Sequence, residues 1–234
     1  SPAEVSIIFS RIRELNDARL GHEQKLKLQN FFSLAIKHYK SYVHHIEKSP
    51  EYANGERNVD FSMLNALYDH IFGMAEVMPK HAVSEFKNHL RAMHVDLLNR
   101  VSSHSETHDG YPGACDLLFL KLISNIFPVT DFQHAITTPA NIYIHQCLAD
   151  CELRSLRDVA AGLFLCSMAI HYNHEAKRFS PEVVQFLTKL LTSVTAKSDV
   201  EEGQESSSSS SNSDQDTKRI NWLRLKKVHL KQFP

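Results

Sequence analysis

Apolar residues that recur at three- and four-residue steps, segment after segment, restrict this chain to α-helices. Between His22 and Lys48, the residues Leu28, Phe32, Ala35, Ile36, Tyr39, Val43 and Ile46 fall on one stripe. The same steps join Met63, Leu64, Leu67, Ile71, Met74 and Met78 behind Asp60, and then Val83, Phe86, Leu90, Met93, Leu97 and Leu98 between Pro79 and Val101. β-Hairpin signals are missing: there are only 7 Gly, and Asn54-Gly55 and Asp109-Gly110 stand in longer polar connections rather than between alternating apolar runs.

Helix starts are written in the local chemistry. Ser1-Pro2-Ala3-Glu4 supplies an N-cap hydroxyl, a first-turn proline and an acid, predicting a helix to about Leu15. Asp60 is the expected cap of the helix that Pro79 closes, and Ser49–Asn58 and Ser102–Pro112 read as loops. Thr138-Pro139 opens a helix to about Asp150, Ser155 caps one to about Glu175, and Ser180-Pro181-Glu182 opens one to about Ala196. Ala114 to Phe127 is apolar nearly all round, so it belongs at the centre of the domain. The starts at Thr138 and Ser180 are separated by one HEAT or armadillo unit of about 40 residues. The expected fold is therefore all-α, built of HEAT/armadillo-like stacked antiparallel helix pairs, an α-solenoid, over residues 1–196.

At residue 197 the composition changes. Asp199, Glu201, Glu202, Glu205, Asp214 and Asp216 surround the serines 206–211, which predicts a disordered acidic linker over 197–217. Residues 218–234 form a basic docking segment in which Lys218, Arg219, Arg224, Lys226, Lys227 and Lys231 alternate with Trp222 and aliphatic residues. Those cations and Trp222 are candidate contacts for an RNA backbone or a partner's groove; a final capping helix of the stack is the third reading. Ser211 and Ser213 each precede an acid by three residues, the spacing acid-directed kinases accept, so they are candidate phosphorylation sites; an unmodified tether is the plain alternative.

Lys+Arg 26 against Asp+Glu 27 gives a net charge of -1, which favours neither wholesale nucleic-acid binding nor an acidic solvating protein. Cys115, Cys147, Cys151 and Cys166 sit in apolar helical surroundings without disulfide spacing, as reduced thiols of the cytosol or nucleus do. No run reaches the roughly 18 apolar residues of a membrane span, which predicts a soluble protein, and the start at Ser1-Pro2 reads as a fragment of something longer.

Catalytic and metal chemistry find little footing. Cys166 with His171 and His174, and Cys147 with Cys151, could hold zinc only without a paired C-x-x-C; buried thiols and surface imidazoles explain them better. His104, His108 and Asp109 fall in a polar loop, and His44-His45 point in different directions on one helix. Nucleophile elbows, zinc helices and phosphate-binding loops have no motif here, so the expectation is no catalytic site, no cofactor, no metal and no small-molecule substrate.

One ordered series is more specific. Asp109-Gly110-Tyr111-Pro112, Leu117-Leu118-Phe119-Leu120-Lys121, Phe127-Pro128-Val129-Thr130-Asp131-Phe132, Thr138-Pro139-Ala140, Leu156-Arg157-Asp158-Val159, Gly162-Leu163-Phe164 and Arg178-Phe179 follow one another. This series resembles the core of the nucleolar protein 14 family, a component of the small-subunit processome, and Arg11-Ile12 through Lys25-Leu26 to Leu34 looks like the same family's upstream helices. The resemblance implies a non-enzymatic scaffold in the nucleus and nucleolus, needed for 18S rRNA maturation and 40S assembly. It further implies a Noc-family nucleolar protein, the pseudouridine methyltransferase of the small-subunit particle, other processome proteins and pre-18S rRNA as partners. No catalytic residue is carried over. The matched prolines and Gly110 read as helix-start and turn chemistry, and Phe119, Phe127 and Phe132 as packing. A helical-repeat adaptor outside ribosome assembly is the rival reading.

Overall fold

A computed structural model describes residues 1–17, 21–49, 60–102, 110–127, 134–174 and 177–201, with side chains to residue 192. Among these residues there are eight helices and no strand, the all-α class expected. They are α1 Pro2–Leu15, α2 His22–Glu47, α3 Ser62–Val77, α4 Pro79–Ser102, α5 Ala114–Ile126, α6 Thr137–Asp150, α7 Leu156–His174 and α8 Pro181–Glu201. The loop residues 50–58 and 103–109 lie outside the described residues.

The caps follow the local chemistry. In α1, Ser1 Oγ accepts from the Glu4 amide at 3.4 Å while Glu4 Oε2 accepts from the Ser1 nitrogen at 2.8 Å, a reciprocal capping box. At α7 the buried Asp158 plays the acid's part: its Oδ2 accepts from the Ser155 and Arg154 amides at 2.8 and 2.9 Å, and Ser155 Oγ accepts from the Asp158 amide at 3.2 Å. Two expectations need correcting. Phe61, not Asp60, stands at the N-cap of α3, because the short Asp60 side chain satisfies the Ser62 amide two residues on, at 2.8 Å, as an Asx-turn. α8 does not stop near Ala196 but continues through 197–201, since Ala196, Lys197 and Glu201 are good helix formers and a polar composition does not end a helix. The remainder of the expected linker and the whole basic segment lie outside the described residues.

The odd-numbered helices form one row and the even-numbered helices a second, with α1–α3–α5–α7 in contact in turn and α2–α4–α6–α8 likewise. Within the even row α2 and α4 run parallel, since His81 meets the Gln29 carbonyl at 3.2 Å while Phe86, further along, meets Phe32 at 6.3 Å between centroids. Across the rows direction reverses: Tyr39 donates to the Leu118 carbonyl and Glu47, a turn or two later, sits at the start of α5. α5 contacts α2, α3, α6 and α7, and its Phe119, Leu120 and Ile123 are fully buried, as its apolar circumference requires. Phe119 stacks on Phe86 at 5.3 Å and Phe127 meets the same ring edge-on at 5.2 Å, tying the two rows through one aromatic column.

The outermost helices keep apolar surface in the open. Leu156, Leu163 and Ile170 stand at seven-residue steps on α7, Val184, Leu187 and Leu191 follow a line on α8, and Ile8 and Leu15 do so on α1; all are exposed. The end pairs of a helical stack normally carry a polar outer face; here α1, α7 and α8 keep these exposed aliphatic lines.

Gly162 shows how closely α7 and α8 pack. A Cβ there would lie 2.2 Å from Phe186 Cζ, whereas one at Gly73 would meet only the flexible guanidinium of Arg13. Gly162→Ala is expected to lower unfolding free energy by about 1–3 kcal/mol through overpacking, and Gly73→Ala to cost far less; paired urea titrations of the two variants check the difference.

Candidate interaction surface

Where α2, α5 and α7 converge, the apolar residues of three stripes fail to fill the space between them. A cleft of about 230 Å³ remains, lined by Val43, Ile46, Phe61, Leu117, Leu118 and Phe164, with Arg157 at its rim. An open, mostly apolar cleft with one polar group at the edge suits an apolar anchor from a partner.

Glu47, the last residue of α2, organises that rim. Its side chain is only 13% exposed; Oε1 accepts from the Ala114 amide and from Arg157 Nη2 at 3.1 Å, while Oε2 lies 3.5 Å from His44 Nδ1. A carboxylate there satisfies an unpaired donor in the first turn of α5 and complements that helix's dipole. Gly113 permits the approach, because a Cβ at that position would come 3.0 Å from Glu47 Oε1. Nearby, the half-buried Asp116 lies 3.9 Å from Arg100 Nη2; partial burial raises its pKa, and Lys40 and Arg100 oppose the rise.

A second polar cluster joins α6, α7 and α8. Asn173, itself buried, accepts from Asn141 Nδ2 at 3.0 Å and donates to Ser180 Oγ at 2.8 Å, and its amide nitrogen stands 3.3 Å from His145 Nε2. His145 Nδ1 in turn meets Glu182 Oε2 at 2.8 Å. Ser180, His145 and Glu182 make no triad, because Asn173 stands between the hydroxyl and the imidazole. The cluster fixes the three helices.

Of the residues weighed for zinc, Cys147 and Cys151 meet as a buried pair, while Cys166 is not joined by the two histidines. Cys166 is buried while His171 and His174 are exposed, and among the described residues no group of three or more His, Cys, Asp or Glu could hold a metal ion. Burial pushes the thiols of Cys115 and Cys166 up to about 11. In the Cys147–Cys151 pair, burial raises Cys147, and the hydrogen bond between the two lowers Cys151. The loop residues His104, His108 and Asp109 and the packing residue Phe132 lie outside the described residues. So do the candidate contacts Lys218, Arg219, Trp222, Arg224, Lys226, Lys227 and Lys231 and the candidate phosphorylation sites Ser211 and Ser213.

Several residues of the ordered series acquire roles. Gly110 is not a left-handed turn residue; a Cβ there would lie 3.2 Å from the Glu152 carbonyl, so close backbone approach is what requires glycine. Tyr111 is buried against Phe186, and Thr138 Oγ1 accepts from the His134 amide at 3.0 Å. Asp158 is the acid that answers the Ser155 cap of α7, and Gly162 the seat of Phe186.

A sequence profile described as the Nop14-like family matches residues 1–232. The chain belongs to the Nop14-like family. It is 28% identical over 193 residues to nucleolar protein 14 of Homo sapiens, covering 82% of this chain and 21% of that protein. With the nucleolar complex protein 14 of Saccharomyces cerevisiae it shares 24% over 186 residues, 79% of this chain and 21% of the relative. With the Drosophila melanogaster homolog it shares 23% over 200 residues, 86% and 22%. The chain thus spans about a fifth of the length of the curated relatives it matches. By these names the Nop14-like family is nucleolar, and the compartment is the nucleus.

Glu47 and Phe61 were not singled out from the sequence, and Arg157 and Phe164 figured only inside the Leu156-Arg157-Asp158-Val159 and Gly162-Leu163-Phe164 elements. The Glu47–Arg157 contact joins residues 110 positions apart, so nothing local marks it.

Glu47→Ala leaves the Ala114 amide without its acceptor and is expected to destabilise this Nop14-like chain by about 1–3 kcal/mol, with faster hydrogen exchange at the start of α5; exchange measured peptide by peptide checks this. The raised thiols give a pH expectation: alkylation of Cys115 and Cys166 in the folded chain is negligible at pH 7 and climbs as pH rises toward about 11, followed by mass spectrometry.

Proposed function

We propose that this chain acts as a non-enzymatic scaffold of the small-subunit processome, the 90S pre-ribosome, needed for 18S rRNA maturation and 40S subunit assembly. The observation that carries this reading is membership of the Nop14-like family over residues 1–232. The fold supports it: two rows of helices expose a large surface, and the apolar end helices α1, α7 and α8 are the kind of surface an assembly covers. We take the two rows to be a stretch of HEAT/armadillo-like α-solenoid.

The partners proposed with it are a Noc-family nucleolar protein, the pseudouridine methyltransferase of the small-subunit particle, other processome proteins and pre-18S rRNA. In the same reading residues 218–231 form a basic contact for RNA or a partner, and Ser211 and Ser213 are modified by an acid-directed kinase.

Affinity purification of the tagged chain from nucleolus-containing cells tests the proposal. Small-subunit assembly factors and pre-18S rRNA are expected to co-purify. A preparation that carries neither, and instead an unrelated protein set, overturns it in favour of an adaptor outside ribosome assembly.

A further inference from the structure

We propose that the outer face of α2 and α4 is a binding surface for the phosphate backbone of RNA, separate from the basic segment near the C-terminus. The inference rests on the reading above in one respect, that RNA is at hand. Its evidence is the distribution of unpaired charge.

Several exposed cations elsewhere sit beside acids: Lys27 on Glu23, Arg11 on Glu14, Arg154 on Glu152, Arg157 on Glu47. On the outer face of the even row they do not. Lys37, Lys80, Lys87 and Arg91 are exposed, and among the described residues none has a carboxylate within 4.0 Å. Their helix neighbours worsen the repulsion. Lys37 and Lys40 stand three apart and Lys87 and Arg91 four apart, spacings at which like charges face each other. No acid occurs in α2 between Glu23 and Glu47.

The topology then gathers these cations. Because α2 and α4 run parallel and in contact, Lys37 and Lys40 face His89 of α4, whose basicity is lowered first by burial and then by Lys40 and Lys37. Lys40 Nζ sits 5.1 Å from the centroid of Phe119, which holds its stem against the groove floor. Lys80, Lys87 and Arg91 share the other flank of α4, with Ser84 and Asn88 exposed between the two cation lines. Glu85 faces the groove as well, and Asp96 lies two to three turns on. Two lines of cations flanking Ser84 and Asn88, and outnumbering Glu85 beside them, suit a polyanion read through its backbone rather than its bases. An acidic peptide would offer fewer, less regularly spaced charges, which is why RNA is the favoured occupant.

Lysine acetylation footprinting of the whole 234-residue chain, with and without a short RNA duplex at low salt, tests this site by site. Lys37, Lys40, Lys80 and Lys87 are expected to label several-fold more slowly with RNA, while Lys121 and Lys189 are unchanged. The variant K37E/K80E/K87E/R91E, made at exposed positions and expected to leave the helical circular dichroism intact, is expected to lose about tenfold or more in RNA affinity. Its log–log salt slope should fall by roughly 3–4, at about 0.9 counterion for each of the four lost contacts. Labelling of the four lysines that ignores RNA while Lys218, Lys226 and Lys227 are protected overturns the proposal. So does protection by polyglutamate without protection by RNA, which makes the face a protein-docking surface. Failure of the scaffold reading shows separately, in the co-purification, since footprinting uses purified components.

Discussion

A helix that is apolar nearly all round can persist in water only if it is covered on several sides, and α5 sets that condition for the whole stack. Its buried Phe119, Leu120 and Ile123 demand neighbours from both rows, and the aromatic column from Phe32 through Phe86 to Phe119 and Phe127 supplies them. The polar ends of α5 then have to be managed where water is scarce. Glu47 reaches in from the end of α2 to take the Ala114 amide, and Arg157 of α7 holds that carboxylate. Burial, cap and ion pair therefore converge on one junction, and the cleft beside it is the space that three converging stripes leave open.

From that junction outward the molecule is divided by the kind of surface each element leaves. The end helices leave aliphatic lines on α1, α7 and α8, the α2/α4 face leaves cations without partners, and the polar cluster around Asn173 leaves nothing exposed that resembles a reaction centre. The thiols are held in their protonated form by burial or tied in a pair. On the proposed reading the chain contributes positions and surfaces to an assembly, in keeping with its place in the Nop14-like family.

Much of this was legible in the chain itself, because helix periodicity, proline placement and capping act over a few residues. The reciprocal cap of α1, the bounds of α4 and the central role of α5 follow directly from such signals. What escaped is either graded or non-local. The end of α8 is graded, since helix propensity fades through 197–201 where the composition shifts at once. Asp60 satisfies an amide one residue off its expected register, a distinction that rests on backbone geometry. The cleft, the Glu47–Arg157 pair and the meeting of Lys37 and Lys40 with His89 depend on which helices become neighbours. Gly110 was expected as a turn glycine and proves to be one of close approach, a difference that sequence context does not encode.

The central claim is that this chain is a scaffold whose surfaces are occupied in a ribosome-assembly particle. Crosslinking within particles isolated from cells measures that directly, with ultraviolet crosslinks reporting RNA and amine-reactive crosslinks reporting protein. Occupied surfaces require RNA crosslinks on peptides of α2 and α4 and protein crosslinks from Lys177 and Lys189 beside the apolar end. Particles that assemble fully without the chain, or in which its peptides crosslink to neither RNA nor other assembly factors, would contradict the claim.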